Sequence, residues 1–357
     1  MVSISVIMPT ARGNYPMIGL PSVHMLQPTI ESLKNQSFKD FEFIIIDGLY
    51  DFRKELFKGK PFHGDKLPFS VNHIPIEHNS KFNHRFWMDN RRWNVCGTLN
   101  TGIIHAKGEL IVRIDDCSEF ESDYLKKFWE GYESGYFPMA MHIKYLNGIP
   151  EKLNKDNKDK VNFSDNFGTE ARDSLLKKSY GESGLVRDSR YEQTLKNGGR
   201  MTAPCDWHYG YSSISLEVAL KVNGYDELFD GDKSLEDVDF GSRLEIAGYK
   251  NKTLVDVNHQ VVEHEHIGPD VMIDGWLRPI KCNYAICLMN KNKGRWKAND
   301  NILTESEIRY IIEESLKPPC SPTPNFYFGN CSGKWWDMWL NNQPIFDLKE
   351  ERKLYEK

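Results

Sequence analysis

Two segments with different hydrophobic patterns lie near the start of the chain. Ser3–Met8 alternates and is rich in β-branched residues, and Phe41–Ile46 is an almost continuous apolar run, so both segments predict buried strands. Between them, Leu26–Phe38 has apolar residues on one side, and Pro28 suits a first helical turn. A strand, a helix and a second strand in this order predict a parallel pair with a right-handed crossover.

The same pattern continues as far as residue 116. It predicts a weaker strand at Val71–Ile76, a helix that ends before Gly108, and a strand at Glu109–Ile114. Three of the strands end in polar residues, which are Pro9 and Thr10, Asp47, and Asp115 and Asp116. Because open α/β sheets bind ligands at the carboxyl ends of their strands, we expect these residues to share one site.

The later part of the chain changes character twice. Residues 145–199 are polar and rich in Lys, Asn and Asp, which predicts a mobile insertion or lid over the site. Helices at Leu216–Val222 and Leu235–Ile246 and a strand at Thr253–Val262 are expected next. Residues 269–357 predict a helical extension that ends in a Trp-rich tail after a proline-rich linker.

The composition and the charge of the chain argue against some classes of partner and indicate its cellular compartment. The 357 residues carry a formal net charge of -5, which argues against a nucleic-acid partner. No long apolar stretch and no leader-like start is present, so we expect a cytoplasmic chain without a transmembrane segment, with peripheral membrane contact left open. The seven cysteines form no CxxC pair, which predicts reduced thiols.

The adjacent carboxylates of Asp115 and Asp116 are the first candidate for chemistry. Two carboxylates at the end of an apolar strand repel each other, and a hard divalent ion such as Mg²⁺ or Mn²⁺ would relieve that repulsion. The alternative is a simple helix cap after the strand. His264 and His266 lie two residues apart in an extended segment, so both imidazoles would face one side and could reach a metal, with His259 a weaker candidate.

Two further groups of residues are candidates for substrate contacts and proton transfer. Glu236 and Asp237 fall in the first turn of a predicted helix, where the helix dipole favours a charged carboxylate that could act as a base. The alternative is that they merely decorate a helix start. Residues that could hold a nucleotide are Pro9, Thr10, Arg12, Asp47, Arg91, Asn94 and Asn100. The chain has neither GxGxxG nor a P-loop motif, which argues against a dinucleotide fold and a P-loop enzyme.

In chain order, these segments resemble the GT-A glycosyltransferases of family 2. SVIMPTARGN is similar to the family's first strand and its Pro-Thr turn, FEFIIIDG to the strand that ends in the nucleotide-binding Asp, and LNTGIIHAKGELIVRIDD to the stretch before the metal-binding motif. The most specific match is GYDELFDGDKSLEDVDFGSRLEIAGY, which is similar to the family's Gly-aromatic-Asp-Glu and Glu-Asp segments. The resemblance covers roughly residues 3–268 without the polar insertion.

The resemblance implies a Rossmann-like, three-layer α/β/α domain of the GT-A type over residues 1–268, with a mostly parallel sheet. It implies metal-dependent, inverting transfer from a nucleoside diphosphate sugar, a UDP-sugar before a GDP-sugar, to a hydroxyl of a glycan or other acceptor. Carried over to this chain, Asp47 would contact the base or ribose, Asp115 the ribose or the metal, and Asp116 the metal. Asp237 would be the catalytic base beside Glu236, His264 or His266 would bind the Mn²⁺ or Mg²⁺, and Trp207, His208 and Tyr211 would shape the sugar or acceptor pocket.

One departure from the family keeps two other functions open. The usual motif is Asp-any-Asp, and Cys117 stands at its third position. A catalytically inactive sugar- or nucleotide-binding module of the same fold would explain the loss of an acid. A nucleotidyltransferase would also join a metal and a nucleotide on an α/β sheet, but it gives no reason for the Glu-Asp helix.

Overall fold

The computed structural model describes residues 2–10, 27–48, 50, 67–76, 95–116, 118–147, 185–188, 190–230, 235–266, 280–315 and 345–356. Arg12, Arg91, Asn94 and Cys117 lie outside these residues, as do most of the predicted insertion and the Trp-rich tail. His264 and His266 are described by their backbone in a strand, and their side chains lie outside the description.

A five-stranded sheet forms the centre of the fold, in the order β3-β2-β1-β4-β9. The first four strands are parallel and β9 is antiparallel to β4, so the predicted mostly parallel sheet is confirmed. Its strands are β1 (Ile4–Thr10), β2 (Phe41–Asp47), β3 (Ser70–Pro75), β4 (Leu110–Arg113) and β9 (Ser213–Ser215).

Alternate residues of the central strands pack on opposite faces of this sheet. Val6 and Met8 of β1 join one apolar cluster with Leu33, whereas Ile7 joins another with Leu99. Leu33 belongs to α1 (Gln27–Lys34) and Leu99 to α2 (Val95–His105), so helices cover both faces and the three-layer arrangement is confirmed. Both helices lie close to their predicted positions.

The sequence did not predict a second sheet, which has the order β5-β10-β6-β7, with β8 also paired to β10. Its strands are β5 (Ser118–Phe120), β6 (Phe137–Asn147), β7 (Leu185–Arg187), β8 (Arg200–Ala203) and β10 (Thr253–His266). Only β10 was expected, because three of the other strands have four residues or fewer and carry too short a pattern to detect. β10 is also the longest, and it pairs with three of the other four strands.

The second sheet also corrects the extent of the polar insertion. β7 and the helix α4 (Arg190–Lys196) both fall within residues 145–199 and are part of the ordered fold. β7 pairs antiparallel with β6, and α4 contacts β8 and β10. Tertiary pairing therefore orders residues 185–188 and 190–199, for which composition alone predicts a loop.

Six further α-helices lie in the described ranges. They are α3 (Tyr124–Glu133), α5 (Leu216–Lys221), α6 (Glu236–Leu244), α7 (Ile280–Asn292), α8 (Glu305–Ser315) and α9 (Leu348–Arg352). Ile286 and Met289 of α7 belong to the same apolar cluster as Leu99 of α2 and Phe240 of α6. The predicted helical extension thus shares a core with the first domain. No helix in the described ranges is long and apolar enough to cross a membrane.

Candidate active site

The polar ends of three parallel strands meet at one edge of the central sheet, as the sequence predicted. Thr10, the last residue of β1, lies opposite Asp47 of β2, and its hydroxyl donates to Asp116 Oδ2 at 2.7 Å. Asp47 is buried, and its Oδ2 lies 3.0 Å from His73 Nε2. Pro9 is half-buried beside them. Thr10, Asp47 and Asp116 therefore form one polar group at the carboxyl edge.

The two adjacent aspartates differ in their exposure. The side chain of Asp115 is 32% exposed, whereas Asp116 as a residue is only 6% exposed. Gly210 lies against Asp115, because a Cβ on this glycine would stand 2.9 Å from Asp115 Oδ2. The backbone around Gly210 therefore crosses directly over the accessible carboxylate, and a larger residue at that position would displace it.

Arg113 is a site residue that the sequence analysis missed. It ends β4, is buried, and its Nη2 lies 4.0 Å from Asp115 Oδ1. Its Nε and Nη1 have no hydrogen-bond partner within the described part of the chain. Burial would lower the pKa of Arg113, but Tyr225, Asp115, Glu236 and Asp237 outweigh that effect and raise it above the ordinary value. An arginine inside the apolar run of residues 110–114 was the signal that could have revealed it.

The helix that carries the candidate base, α6, begins with two acids whose charges act on Arg113. Leu235 precedes α6 in the left-handed region with a φ of 71°, a conformation that costs a non-glycine residue about 1–2 kcal/mol. Glu236 is buried and Asp237 is half-buried, and Asp237 Oδ1 accepts the N–H of Val238 at 2.7 Å. Because both are the first residues of α6, the helix dipole stabilises their negative charge.

The loop from Trp207 to Tyr211 contains the three predicted pocket residues, of which two are buried and one is half-buried. Trp207 is half-buried, whereas His208 is buried, with Nδ1 3.1 Å from Ser212 Oγ and no partner for Nε2 among the described residues. Burial, helped by the charge of Arg113, lowers the pKa of His208 to about 3, so the imidazole is neutral at ordinary pH. Tyr211 is 1% exposed and its hydroxyl meets Ser118 Oγ, so it packs in the core instead of lining a pocket.

A second arginine holds this loop from the side of the second sheet. Arg190 forms two hydrogen bonds of 2.8 Å to Asp188 and donates a third to the carbonyl of Trp207. Its guanidinium carbon lies 3.9 Å from the ring centre of Tyr209, whose hydroxyl also donates to Asp188 at 2.8 Å. Despite burial, these contacts with Arg190 lower the pKa of Asp188. The charge of Asp237 acts on Arg190 as well, so this network borders the site.

Asn100 has a structural task that the sequence analysis did not anticipate. It is fully buried, its Nδ2 donates to the carbonyl of Tyr225 and to Glu227, and its Oδ1 accepts the N–H of Tyr225. Nearby, the carboxylate of Asp230 accepts the N–H groups of Cys96 and Gly97 at the start of α2. The 224–230 segment is thus tied to α2, in part through the side chain of Asn100.

The residues present fit a divalent ion only with help from a substrate. Among the described residues no group of three or more His, Cys, Asp or Glu side chains could hold a metal. Asp115 and Asp116 would supply one or two carboxylates, which suits Mg²⁺ or Mn²⁺ when substrate phosphates complete the coordination. Glu263 of β10 pairs with Ser118, two residues after Asp116, and the backbone of His264 and His266 pairs with Tyr145 and Asn147 of β6.

Comparisons with known proteins found solved structures but no family. No protein-family model matches the chain, and no curated protein matches it. The crystal structure of S. aureus TarS matches with 12% identity and a TM-score of 0.43, covering 88% of this chain and 43% of TarS. S. aureus TarS 1–349 in complex with UDP-GlcNAc matches with 13% identity and a TM-score of 0.45, covering 88% of this chain and 71% of that one. The chain thus spans less than half of full TarS.

Proposed function

We propose that this chain is a glycosyltransferase that moves a sugar from a nucleoside diphosphate sugar to a hydroxyl acceptor. One observation carries the proposal. The carboxylate of Asp115 lies 4.0 Å from the buried Arg113, and the charges of Glu236 and Asp237 act on the same guanidinium, at the carboxyl edge of a parallel sheet. A pair of acids for the donor and a separate helix-start acid for the acceptor are the parts that this reaction needs.

In the proposed reaction Asp237 accepts the proton of the acceptor hydroxyl. The oxygen then forms a bond to the anomeric carbon, and the bond from that carbon to the nucleoside diphosphate breaks on the opposite side, with inversion. Asp237 suits this task because it is half-buried at a helix start, where its charge is stabilised yet it stays accessible. Glu236 beside it is buried and would support the same end of the helix.

The donor would lie along the ends of β1, β2 and β4. Thr10, Asp47 and Asp115 are the described candidates for the nucleoside, with a UDP-sugar favoured over a GDP-sugar. Asp115 and Asp116 would hold a divalent ion together with His264 or His266, and such an ion, when bound, neutralises the diphosphate. Trp207 is the described candidate for acceptor contact, since it is half-buried at the border of the site.

The decisive experiment is turnover of a panel of nucleotide sugars. Purified protein with Mn²⁺ would be incubated with UDP-GlcNAc, other UDP-sugars and GDP-sugars, and release of the nucleoside diphosphate would be followed with and without candidate acceptors. We expect one sugar to be consumed. Binding of a nucleoside diphosphate without turnover of any sugar would favour the inactive binding module. Formation of a nucleotide sugar from a nucleoside triphosphate and a sugar phosphate would favour the nucleotidyltransferase.

A second experiment tests the divalent ion. We expect EDTA to abolish turnover, Mn²⁺ or Mg²⁺ to restore it, and Asp116→Ala to remain inactive with either metal. Asp40→Ala is the matched control, because Asp40 bonds Ser3 at the opposite end of β1, away from the site. Full turnover by metal-free protein would exclude the metal from the reaction.

A further inference from the structure

Arg113 is buried in the candidate site and hydrogen-bonds the side chain of Tyr225, but two of its three guanidinium nitrogens have no acceptor among the described residues. Its side chain is 8% exposed, and neither Nε nor Nη1 finds an acceptor in the part of the chain that the structure describes. Buried donors without acceptors destabilise a fold, so buried arginines normally bond carboxylates or carbonyls. A feature that weakens the fold at a functional site indicates that the site uses it.

Arg113 lies between a residue that is proposed to bind the donor and the helix that is proposed to carry the catalytic base. On one side, Asp115 Oδ1 lies 4.0 Å from its Nη2. On the other, its guanidinium carbon lies 5.9 Å from the ring centre of Tyr225, which stacks on Phe240 of α6 at 4.3 Å and 12°. Phe240 lies one helical turn after Asp237. Arg113 therefore fills the space between the end of β4 and the helix that carries the base.

We propose that Arg113 is a positioning residue whose permanent positive charge holds Asp115 and the Glu236–Asp237 pair in one site. Without a cation between them, these three carboxylates would repel one another. The guanidinium stays protonated at any pH the protein meets, so its effect does not depend on conditions. The inference rests on the proposed function for the meaning of the spacing, but the interaction itself is measurable without turnover.

The test of the interaction is a change of sign in a stability measurement. Arg113→Met would be made in the wild-type chain and in the triple variant Asp115→Asn, Glu236→Gln, Asp237→Asn, and the midpoint of urea unfolding measured for all four proteins. We expect the substitution to lower the midpoint in the wild-type chain, because it removes the cation. In the neutralised background it should raise the midpoint, because the unpartnered N–H groups are lost and no carboxylates remain to repel one another.

An equal shift in both backgrounds would overturn the proposal. If Arg113→Met does not fold in the wild-type chain, Arg113→Lys replaces it. Lysine keeps the charge and loses the unpartnered guanidinium N–H groups, so its midpoint should match or exceed that of the wild type in the wild-type background. A Lys variant as unstable as the Met variant would contradict a role for the charge. These outcomes do not depend on whether any nucleotide sugar is consumed.

Turnover supplies the second readout. We expect Arg113→Met to lower kcat by about 100-fold, the loss typical of a misplaced reacting group, and Arg113→Lys to restore most of the rate. Arg295→Met is the matched control, because Arg295 has a similarly buried side chain and lies 3.7 Å from Asp300, outside the site. The control should leave kcat unchanged. Wild-type kcat in Arg113→Met would refute the positioning role.

Discussion

Two buried arginines lie near the two ends of α6, and they differ in how closely an acid pairs with each of them. Arg243, near the end of the helix, donates to Asp239 at 2.7 Å and to the carbonyl of Val222 at 3.2 Å, and both side chains of the ion pair are 1% exposed. Arg113, beside the start of the helix, lies 4.0 Å from Asp115 and hydrogen-bonds the side chain of Tyr225. A close ion pair points to a structural role, whereas a cation at a longer distance from its acid points to a working site.

The partners of these arginines differ in the same way. Asp239 is also bonded by Asn290 of α7, whose Nδ2 lies 2.9 Å from it and 3.2 Å from Asp226. The C-terminal segment thus anchors the inner face of α6. The helix start, by contrast, emerges from the strained Leu235 and presents Asp237 half-buried.

The largest expected effect is at the start of the helix. Asp237→Asn keeps the shape of the side chain but cannot accept a proton, so transfer should fall by about 10²–10⁴-fold while the nucleoside diphosphate still binds. Single-turnover transfer and calorimetric binding would measure the two properties. Glu236→Gln and Asp239→Asn are the comparisons, since an equal loss in all three would indicate a folding defect. A wild-type rate in Asp237→Asn would rule it out as the base.

The next effect concerns stability at the other end of the helix. Arg243→Met leaves the buried Asp239 without its cation, and breaking such a pair costs about 3–5 kcal/mol of unfolding free energy. Urea unfolding would measure this loss. The double variant Arg243→Met, Asp239→Leu removes both charges and should recover much of the stability. If single and double variants unfolded alike, the ion pair would not be the reason for the loss.

A smaller effect is expected where the C-terminal segment meets α6. Asn290→Ala removes the donor that Asp226 and Asp239 share, which should cost about 1–3 kcal/mol of unfolding free energy. Asn292→Ala on the same helix is the control, because its only described hydrogen bond, to Tyr310, is exposed. Equal stability of the two variants would show that the C-terminal segment does not anchor the helix.

The smallest effect concerns a buried histidine remote from both arginines. His259 packs against Tyr124 and Phe128, and burial lowers its pKa to about 3. In the unfolded chain His259 binds a proton near pH 6.5, whereas in the folded chain it stays neutral down to about pH 3. The contribution of His259 to the free energy of unfolding is therefore fully present above pH 6.5 and decreases as the pH falls towards 3. The slope is at most about 1.4 kcal/mol per pH unit for one proton. His259→Phe should flatten this slope in urea unfolding between pH 7 and 4, and an unchanged slope would assign it to other groups.

The parallel arrangement of the central strands could be predicted because each of these strands carries its own signal. The strands at residues 4–10, 41–47 and 110–113 are apolar and buried on both faces, and the helices between them have one apolar side. Such local patterns, together with the handedness of crossovers, determine a parallel sheet and the edge at which its polar strand ends meet. The meeting of Thr10, Asp47 and Asp116 followed from that geometry.

The second sheet could not be predicted, because its short strands gain stability only from their partners. β5 and β7 have three residues each, and both are held by neighbours far away in the sequence. The contacts of individual polar residues could not be predicted either, because they too depend on residues far away in the sequence. Asn100 bonds Tyr225 and Tyr211 packs in the core because of contacts more than 90 residues apart in the chain.

The sequence by itself determined the strand-helix alternation, the polar strand ends and the helix that starts with Glu236 and Asp237. These are local properties, because hydrophobic period and helix-start chemistry depend on neighbouring residues. Only the tertiary structure decided which of these acids face a common cation. The charge of Arg113 reaches Asp115 and α6 only after β4, Tyr225 and α6 have packed together. Electrostatic partnership depends on distance in space, which the order of residues along the chain does not specify.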